Sequence, residues 1–306
     1  MTDVRDRVAF ITGGTSGIGL GIARSLYAAG AKVAVTYRRD SQLQDAMQFF
    51  GGAGDRFFAT RVDVTDRDGM ERAAKEVESA LGGVSILCNN AAAALVVSAA
   101  SATFKDWDWA ISVNIGGVIN GLQVFLPRIR AHGKGGHIVS TASMSGLFVS
   151  GPAGVYATTK FAVVGMMEAL RGELEKENIG VSVFCPGLVD TNIVDAEESR
   201  PERFAESGRR LDEGIRRMIR EKYVRQGMNP LEAGRIVVAG ILANDLYIVS
   251  HPEFKAGFEE RVQAIAASFS RCGAVPIPEA RLIAESPVLS NPIYVATRDK
   301  LLASAT

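Results

Sequence analysis

Short apolar runs rich in β-branched residues alternate with longer segments of helical periodicity along most of the chain. These runs predict strands over 8–12, 32–37, 57–63, 84–89, 137–140 and 181–185. The segments between them predict helices near 18–29, 66–80, 106–131 and 155–178. Because the runs are apolar nearly throughout and helices separate them, the pattern predicts a parallel sheet covered on both faces, in a doubly wound α/β fold.

The alternation stops at Asp190, where a segment with charges of both signs begins and continues to about 229. Its apolar residues recur at roughly helical spacing, which is typical of an amphipathic helix. They are Phe204, Leu211, Ile215, Met218 and Ile219. We interpret 190–229 as an inserted helix or helix pair, and we expect its apolar stripe to be buried.

Regular structure is predicted to resume at Pro230, with a helix towards Asn244 and a last strand over 246–250. Another helical stretch follows, and then a tail whose prolines oppose regular structure over much of its length. These prolines are Pro276, Pro278, Pro287 and Pro292. A chain of 306 residues, 47% of them hydrophobic, can form a single Rossmann-like domain over 1–250, with 251–306 as an extension packed on the same domain.

Charge and composition exclude several classes of protein. The 34 Lys and Arg residues equal the 34 Asp and Glu residues, so we expect no binding to nucleic acid or to an anionic membrane surface. The first residues lack the order of a signal peptide and no apolar run approaches the length of a membrane span, which predicts a soluble, cytoplasmic protein. The three cysteines and three histidines lack paired or ligand spacing, so we expect no disulfide and no metal.

A glycine-rich turn joins the first predicted strand to the first helix. The N-terminus of a helix offers free N–H groups and a partial positive charge to a pyrophosphate. Glycines permit the sharp turn and the close approach of backbone to a cofactor. The alternative is a tight structural turn, but this strand–turn–helix context favours dinucleotide binding. The candidate residues are Gly13, Thr15, Ser16, Gly17, Ile18 and Gly19.

With Thr12, this turn reads T-G-x-x-x-G-I-G, and here the chain resembles the short-chain dehydrogenase/reductase family. Further ordered motifs extend the resemblance as far as Thr191. The resemblance implies a Rossmann-like fold, a nicotinamide cofactor and hydride transfer at an alcohol or ketone carbon. It does not extend to the usual short glycine-rich finish after the last strand, which this chain lacks.

The pair Tyr156 and Lys160 lies one helical turn apart, on one face of a predicted helix. An ammonium near a phenol stabilises the phenolate and lowers its pKa from about 10, which suits the tyrosine to acid–base catalysis. Alone, such a pair is more often a core aromatic residue and a solvated lysine. The family spacing adds Ser143, whose hydroxyl would bind the substrate oxygen. Otherwise Ser140, Ser143 and Ser145 only satisfy turn amides.

The family tetrad is completed by Asn114, which by resemblance supports a proton path from the lysine. A satisfied core amide is the alternative interpretation. Asn90 and Ala91 are further candidate cofactor-binding residues, in a segment that resembles N-N-A-G with Ala92 in place of the glycine. A further segment resembles P-G-x-x-x-T, which contacts the nicotinamide end of the cofactor in the family. Its candidate residues are Pro186, Gly187, Val189 and Thr191.

The end of the second strand bears on the choice of cofactor. An acidic residue there would accept hydrogen bonds from the ribose of NAD, but Tyr37 occupies this position and Arg38 and Arg39 follow it. A guanidinium suits a 2′-phosphate, which favours NADP(H) over NAD(H), unless both arginines are solvated surface charges. By resemblance, Asp63 and Val64 contact the adenine.

These observations predict an oxidoreductase that interconverts a secondary alcohol and a ketone on a hydrophobic small molecule. The alternative is a binding protein that senses the nucleotide without turnover. The insert begins beside the expected nicotinamide pocket and contains Gly208, Gly214 and Gly227, which suits a lid over the substrate. We also expect a homodimer or homotetramer.

Overall fold

The computed structural model describes residues 2–51, 54–149, 151, 153–205, 212–222, 224–272, 278–279 and 291–303. The chain forms two compact units, Met1–His251 and Pro252–Thr306. The larger unit contains the whole sheet and every predicted site residue.

Seven parallel strands form one sheet in the order β3-β2-β1-β4-β5-β6-β7. They are β1 (Val8–Ile11), β2 (Lys32–Tyr37), β3 (Phe57–Arg61), β4 (Val84–Asn89), β5 (Gly136–Thr141), β6 (Ile179–Cys185) and β7 (Tyr247–Val249). The order reverses beside β1, which pairs with β2 on one side and β4 on the other. The α/β, Rossmann-like doubly wound fold predicted from the sequence is confirmed.

Helices cover both faces of the sheet. In the larger unit they are α1 (Gly17–Ala28), α2 (Asp40–Phe50), α3 (Arg67–Leu81), α4 (Phe104–Ile111), α5 (Gly117–His132), α6 (Gly154–Leu174), α7 (Glu213–Lys222) and α8 (Pro230–Ala243). Successive side chains of β1 point to opposite faces of the sheet. Ala9 and Ile11 point to one face and belong to the core cluster that includes residues of α1 and α8. Between them, Phe10 points the other way and its ring centroid lies 4.3 Å from that of Phe125 in α5.

Two helical features differ from the sequence prediction. Helix α2 was not predicted, although Leu43, Ala46, Met47 and Phe50 have helical spacing. The helix predicted over 106–131 is interrupted by a π-helical turn at Ser112–Gly116. The whole helical stretch Phe104–His132 is long and apolar enough to span a membrane, contrary to our expectation that no run approaches that length. It is a core helix, because 56% of its apolar window is buried inside the protein.

The insert at 190–229 differs from its predicted form. A parallel bridge between Val189 and Met228 joins its two ends. Between them are 3₁₀ turns at Ile193–Ser199, Glu202–Phe204 and Val224–Gln226, together with α7. The predicted burial of the apolar stripe is wrong for Ile215 and Met218, which are 46% and 49% exposed. Two of the predicted residues, Leu211 and Gly208, lie outside the described residues.

Two ion pairs join α7 to the first 3₁₀ turn of the insert. Arg216 pairs with Glu198, and Arg220 pairs with Asp195, so the charged face of α7 lies against the insert's own 3₁₀ turn. Phe204 lies on a separate turn and packs against the buried cluster that contains Trp109. In the part of the insert that the structure describes, Phe204 and α7 therefore do not share one continuous amphipathic stripe.

The smaller unit contains α9 (Lys255–Phe269) and α10 (Pro292–Ala303). Pro292 begins α10 instead of opposing regular structure, as the first turn of a helix tolerates proline. Pro278 lies outside helix and strand, while Pro276 and Pro287 are outside the described residues.

Candidate active site

The candidate site lies at the carboxyl ends of β1, β4, β5 and β6, which are neighbours in the sheet. Loops that follow parallel strands emerge at one edge, and the reversal of strand order beside β1 opens a crevice there. The sheet topology therefore brings together motifs that are far apart in the sequence.

The glycine turn has the backbone that a dinucleotide site requires. Gly13 and Gly17 adopt φ values of +62° and +50°, which side chains disfavour. A Cβ on Gly19 would lie 2.2 Å from the Gly13 carbonyl oxygen, so α1 starts against its own turn. Ser16 occupies the N-cap but makes no side-chain capping bond, and the first turn of α1 contains no acidic residue. The N–H groups at this helix start suit a pyrophosphate.

The N-N-A segment is fixed against the glycine turn by Thr12. Its hydroxyl accepts from the N–H groups of Asn90 and Ala91 at 2.8 and 3.0 Å. The Asn90 amide nitrogen donates to the Thr12 carbonyl at 3.2 Å, and its oxygen accepts from Thr141 at 3.3 Å. Ala92 has no positive φ, so its replacement of the family glycine causes no backbone strain.

Ser143, Tyr156 and Lys160 come together at the end of β5. The Ser143 side chain lies close enough to the Tyr156 hydroxyl to lower the pKa of that tyrosine. The Lys160 Nζ lies 5.5 Å from the Tyr156 ring centroid and donates to the Thr141 carbonyl at 2.8 Å. Ser140 instead accepts from Asn89, and the Ser145 N–H donates to Ser143 Oγ. Among the three serines, the geometry therefore singles out Ser143 as the partner of the tyrosine.

Burial is the main cause of the pKa shifts of Tyr156 and Lys160. It raises the pKa of Tyr156 to about 12, against a smaller lowering by the hydrogen bond from Ser143. It lowers the pKa of Lys160 to about 8. The expected lowering of the phenol pKa by the ammonium is outweighed by the cost of burying a phenolate. At pH 7 the phenol holds its proton and the lysine carries its charge, a state suited to proton donation.

Asn114 lies in the π-helical turn and is fully hydrogen-bonded to groups other than Lys160. Its oxygen accepts from the Ala93 N–H at 2.8 Å. Its nitrogen donates to the Ala93 carbonyl at 2.9 Å and to the Thr159 hydroxyl at 3.0 Å. These contacts match the core-amide interpretation, and the proton path through Asn114 stays a prediction.

The P-G loop after β6 closes the other side of the crevice. The Met144 N–H, next to Ser143, donates to the Pro186 carbonyl at 2.8 Å. Thr191 lies against the glycine turn, since a Cβ on Gly17 would approach its Cγ2 to 2.9 Å. The two predicted cofactor-binding loops therefore meet.

The residues predicted to determine the preference between NADP(H) and NAD(H) lie at the ends of β2 and β3. Arg38 is exposed, and its guanidinium lies 3.8 Å from an Asp63 oxygen and donates to Ser199 Oγ at 2.9 Å. Arg39 is also exposed and forms the N-cap of α2. Val64 is buried, and its carbonyl accepts from Asn120.

The insert contacts both sides of this crevice through arginines that the sequence interpretation missed. Arg203 donates to the Thr65 hydroxyl at 3.2 Å. Arg200 forms an ion pair with Asp106 at 2.6 Å, and both side chains are almost completely buried. No local sequence pattern indicated this pair, because its members lie 94 positions apart.

The fold and the site define a dinucleotide-dependent oxidoreductase. A family model described as short chain dehydrogenase matches residues 7–202. The chain belongs to the short-chain dehydrogenase/reductase family, whose members act on small-molecule substrates. It is a dehydrogenase that acts on a CH–OH group, with an NAD(P) cofactor typical of the family.

Individual relatives resemble nearly the whole chain. A C alpha-dehydrogenase from Sphingobium sp. is 38% identical over 269 residues, which is 88% of each chain. The structure of a short-chain dehydrogenase from Burkholderia phymatum, in complex with NAD, has a TM-score of 0.82 and 29% identity, and covers 91% of this chain and 100% of that one. The apo form of LigO from Sphingobium sp. has a TM-score of 0.76 and 34% identity, over 95% of this chain and 99% of that one.

Proposed function

We propose that this protein interconverts a secondary alcohol and a ketone on a hydrophobic small molecule. The observation that carries the proposal is the contact of Ser143 with Tyr156, with buried Lys160 close by, at the strand edge where the glycine turn lies. A nicotinamide cofactor held at the glycine turn and the P-G loop would supply hydride-transfer chemistry at the substrate carbon. Tyr156 exchanges the proton of the substrate oxygen, Ser143 donates a hydrogen bond to that oxygen, and Lys160 supplies a fixed positive charge.

A buried apolar cluster supports a hydrophobic substrate. Val155 precedes the catalytic tyrosine and packs with Leu95, Val97 and Trp109. Phe204 and Ala196 of the insert pack against the same cluster. We propose that the insert roofs the substrate and excludes water during reaction. The C alpha-dehydrogenase among the relatives supports the assignment of an alcohol as the reacting group.

The test of this function is a panel of secondary alcohols and ketones with aromatic or alkyl groups. Each compound is offered with NADP(H) and NAD(H), and turnover is followed by the nicotinamide absorbance. We expect turnover of the apolar members and little with short polar alcohols. Nucleotide binding without turnover across the panel would favour the alternative, a protein that senses the nucleotide.

We further propose that NADP(H) is preferred over NAD(H). Tyr37 brings no carboxylate to repel a 2′-phosphate, and the exposed guanidinium of Arg38 lies beside Asp63. The neighbour from Burkholderia phymatum holds NAD, so the preference is argued from this chain's own residues.

Arg38→Ala is expected to weaken NADPH binding by about tenfold and to leave the Kd of NADH nearly unchanged, because a charge-assisted hydrogen bond to the phosphate is lost. Arg39→Ala is measured in parallel, because Arg39 is the second candidate for the 2′-phosphate and the comparison shows which arginine contributes more to NADPH binding. Fluorescence titration measures both Kd values. Tighter binding of NADH than NADPH, with no change in Arg38→Ala, would contradict the preference.

The remaining sequence-based expectations stay predictions. They are a homodimer or homotetramer, a cytoplasmic location, and packing of 251–306 on the same domain.

A further inference from the structure

Beyond the last paired residues of β6 and β7, the side chain of His251 links the two segments. The two strands pair in parallel up to Cys185 and Val249. The next residue on the β6 side is Pro186, which has no N–H to donate. Just beyond it, the imidazole of His251 bridges the backbone: its Nδ1 lies 3.0 Å from the Gly187 nitrogen and its Nε2 lies 3.0 Å from the Leu188 oxygen.

These two contacts specify the tautomer of His251. An amide N–H can only donate and a carbonyl oxygen can only accept, so Nδ1 carries the lone pair and Nε2 carries the hydrogen. The Ser250 hydroxyl, 2.8 Å from Nδ1, is consistent as a second donor. His251 is 8% exposed, so water competes little for these contacts. The neutral ring therefore holds one donor and one acceptor of the same loop.

Backbone hydrogen bonds hold the same Pro186–Leu188 stretch from two sides. Met144 N–H donates to the Pro186 carbonyl at 2.8 Å, and Met228 N–H donates to the Leu188 carbonyl at 2.9 Å. The first bond belongs to the turn of the catalytic serine and the second to the end of the insert. His251, at the end of β7, adds a side-chain contact to these backbone hydrogen bonds. Unlike them, it can be removed by substituting one residue.

We propose that His251 is a positioning residue, which fixes the Gly187 and Leu188 peptides and thereby the nicotinamide half of the cofactor. The proposal rests on the proposed function, in which the P-G loop contacts the nicotinamide. It also predicts that the adenosine half is unaffected. Arg38 and Asp63 follow β2 and β3, at the opposite edge of the sheet from β7.

The experiment compares whole dinucleotides with fragments that lack the nicotinamide. In His251→Phe, which keeps a planar ring without nitrogen, the Kd of NADPH and NADH is expected to rise about tenfold. The Kd of ADP-ribose and of its 2′-phosphate is expected to stay within about twofold, because these fragments lack the nicotinamide that the Gly187 and Leu188 peptides are proposed to position. His251→Gln retains a donor and an acceptor and is expected to recover most of the dinucleotide affinity.

His132→Phe is the matched control. His132 also joins a backbone donor to a backbone acceptor, with Lys134 N–H 3.1 Å from Nδ1 and the Val84 oxygen 3.1 Å from Nε2. It lies at the end of α5, near the start of β4. We expect His132→Phe to leave both dinucleotide and fragment Kd values unchanged.

The outcomes separate this proposal from the proposed function. If the unmodified protein binds no dinucleotide, the proposed function fails. If it binds and His251→Phe weakens the fragments as much as the dinucleotides, or weakens neither, the positioning role is wrong. An equal effect of His132→Phe would also overturn it. Where His251→Phe does not fold, His251→Met removes the same two contacts with a flexible side chain and is measured instead.

Discussion

Replacing Tyr156 by Phe is expected to lower kcat by about 10³-fold and to leave the dinucleotide Kd within about twofold, because general acid–base catalysis contributes on this scale. The ring remains, but the hydroxyl that meets Ser143 is lost and no proton can be exchanged with the substrate oxygen. Steady-state kinetics with any good substrate, together with fluorescence titration of NADPH, measures both quantities.

The matched control is Tyr247→Phe. Tyr247 lies in β7, and its partly buried hydroxyl donates to Glu168 at 2.7 Å. This variant therefore also loses a hydrogen-bonded tyrosine hydroxyl, but one outside the crevice. Turnover should be unchanged in the control. Undiminished turnover in Tyr156→Phe would show that another group exchanges the proton and would refute the mechanism.

Asp106→Ala is expected to lower the free energy of unfolding by about 4 kcal/mol, because removing one member of a buried ion pair leaves the other uncompensated. The Arg200 guanidinium would keep only its position over the Trp109 ring, 4.8 Å from the centroid. The variant also loses the capping box that Asp106 forms with Thr103 at the start of α4. Chemical denaturation monitored by circular dichroism measures the loss.

Arg200→Met gives a smaller loss and separates the two roles of the pair. In this variant the carboxylate keeps the Thr103 N–H and hydroxyl, at 2.9 and 3.0 Å, and α4 stays capped. The 193–205 segment, however, loses its ion pair with α4 and keeps only the apolar packing of Ala196 and Phe204 there among the described contacts. We expect faster cleavage there in limited proteolysis, with the cut suppressed by NADPH and a substrate analogue together.

The pair also has an expected pH dependence. Burial by itself raises the pKa of Asp106, but hydrogen bonds from Thr103 and Arg200 outweigh it and hold the pKa below its ordinary value. The stabilisation is therefore present above the unfolded-state pKa of about 4 and is lost as the pH falls through the lower folded-state value.

Arg130→Met, which breaks an exposed pair with Glu177, is the control for the stability measurements and should change the free energy of unfolding little. Equal stability of Asp106→Ala and the unmodified protein would contradict the assignment.

Local sequence patterns were enough to predict the alternation of strands and helices, the glycine turn and the placement of Tyr156 and Lys160 on one helix face. Each of these is written in residues a few positions apart, where backbone geometry and side-chain period act directly. Even α2 carried such a local pattern, although it was not recognised. The observed strands over the predicted runs follow from this local encoding.

The contacts between segments that are distant in the sequence became visible only in the folded protein. The sequence predicted an apolar inner face for the insert. In the structure Arg216 and Arg220 instead form ion pairs with Glu198 and Asp195, and Ile215 and Met218 are exposed to solvent. Asn114 became a fully bonded amide in a π-helical turn, and burial reversed the expected direction of the Tyr156 pKa. The Arg200–Asp106 pair and the contact of His251 with Gly187 join residues 94 and 64 positions apart. Local periodicity contains no information about such partners, because burial and pairing depend on which surfaces the sheet topology brings together.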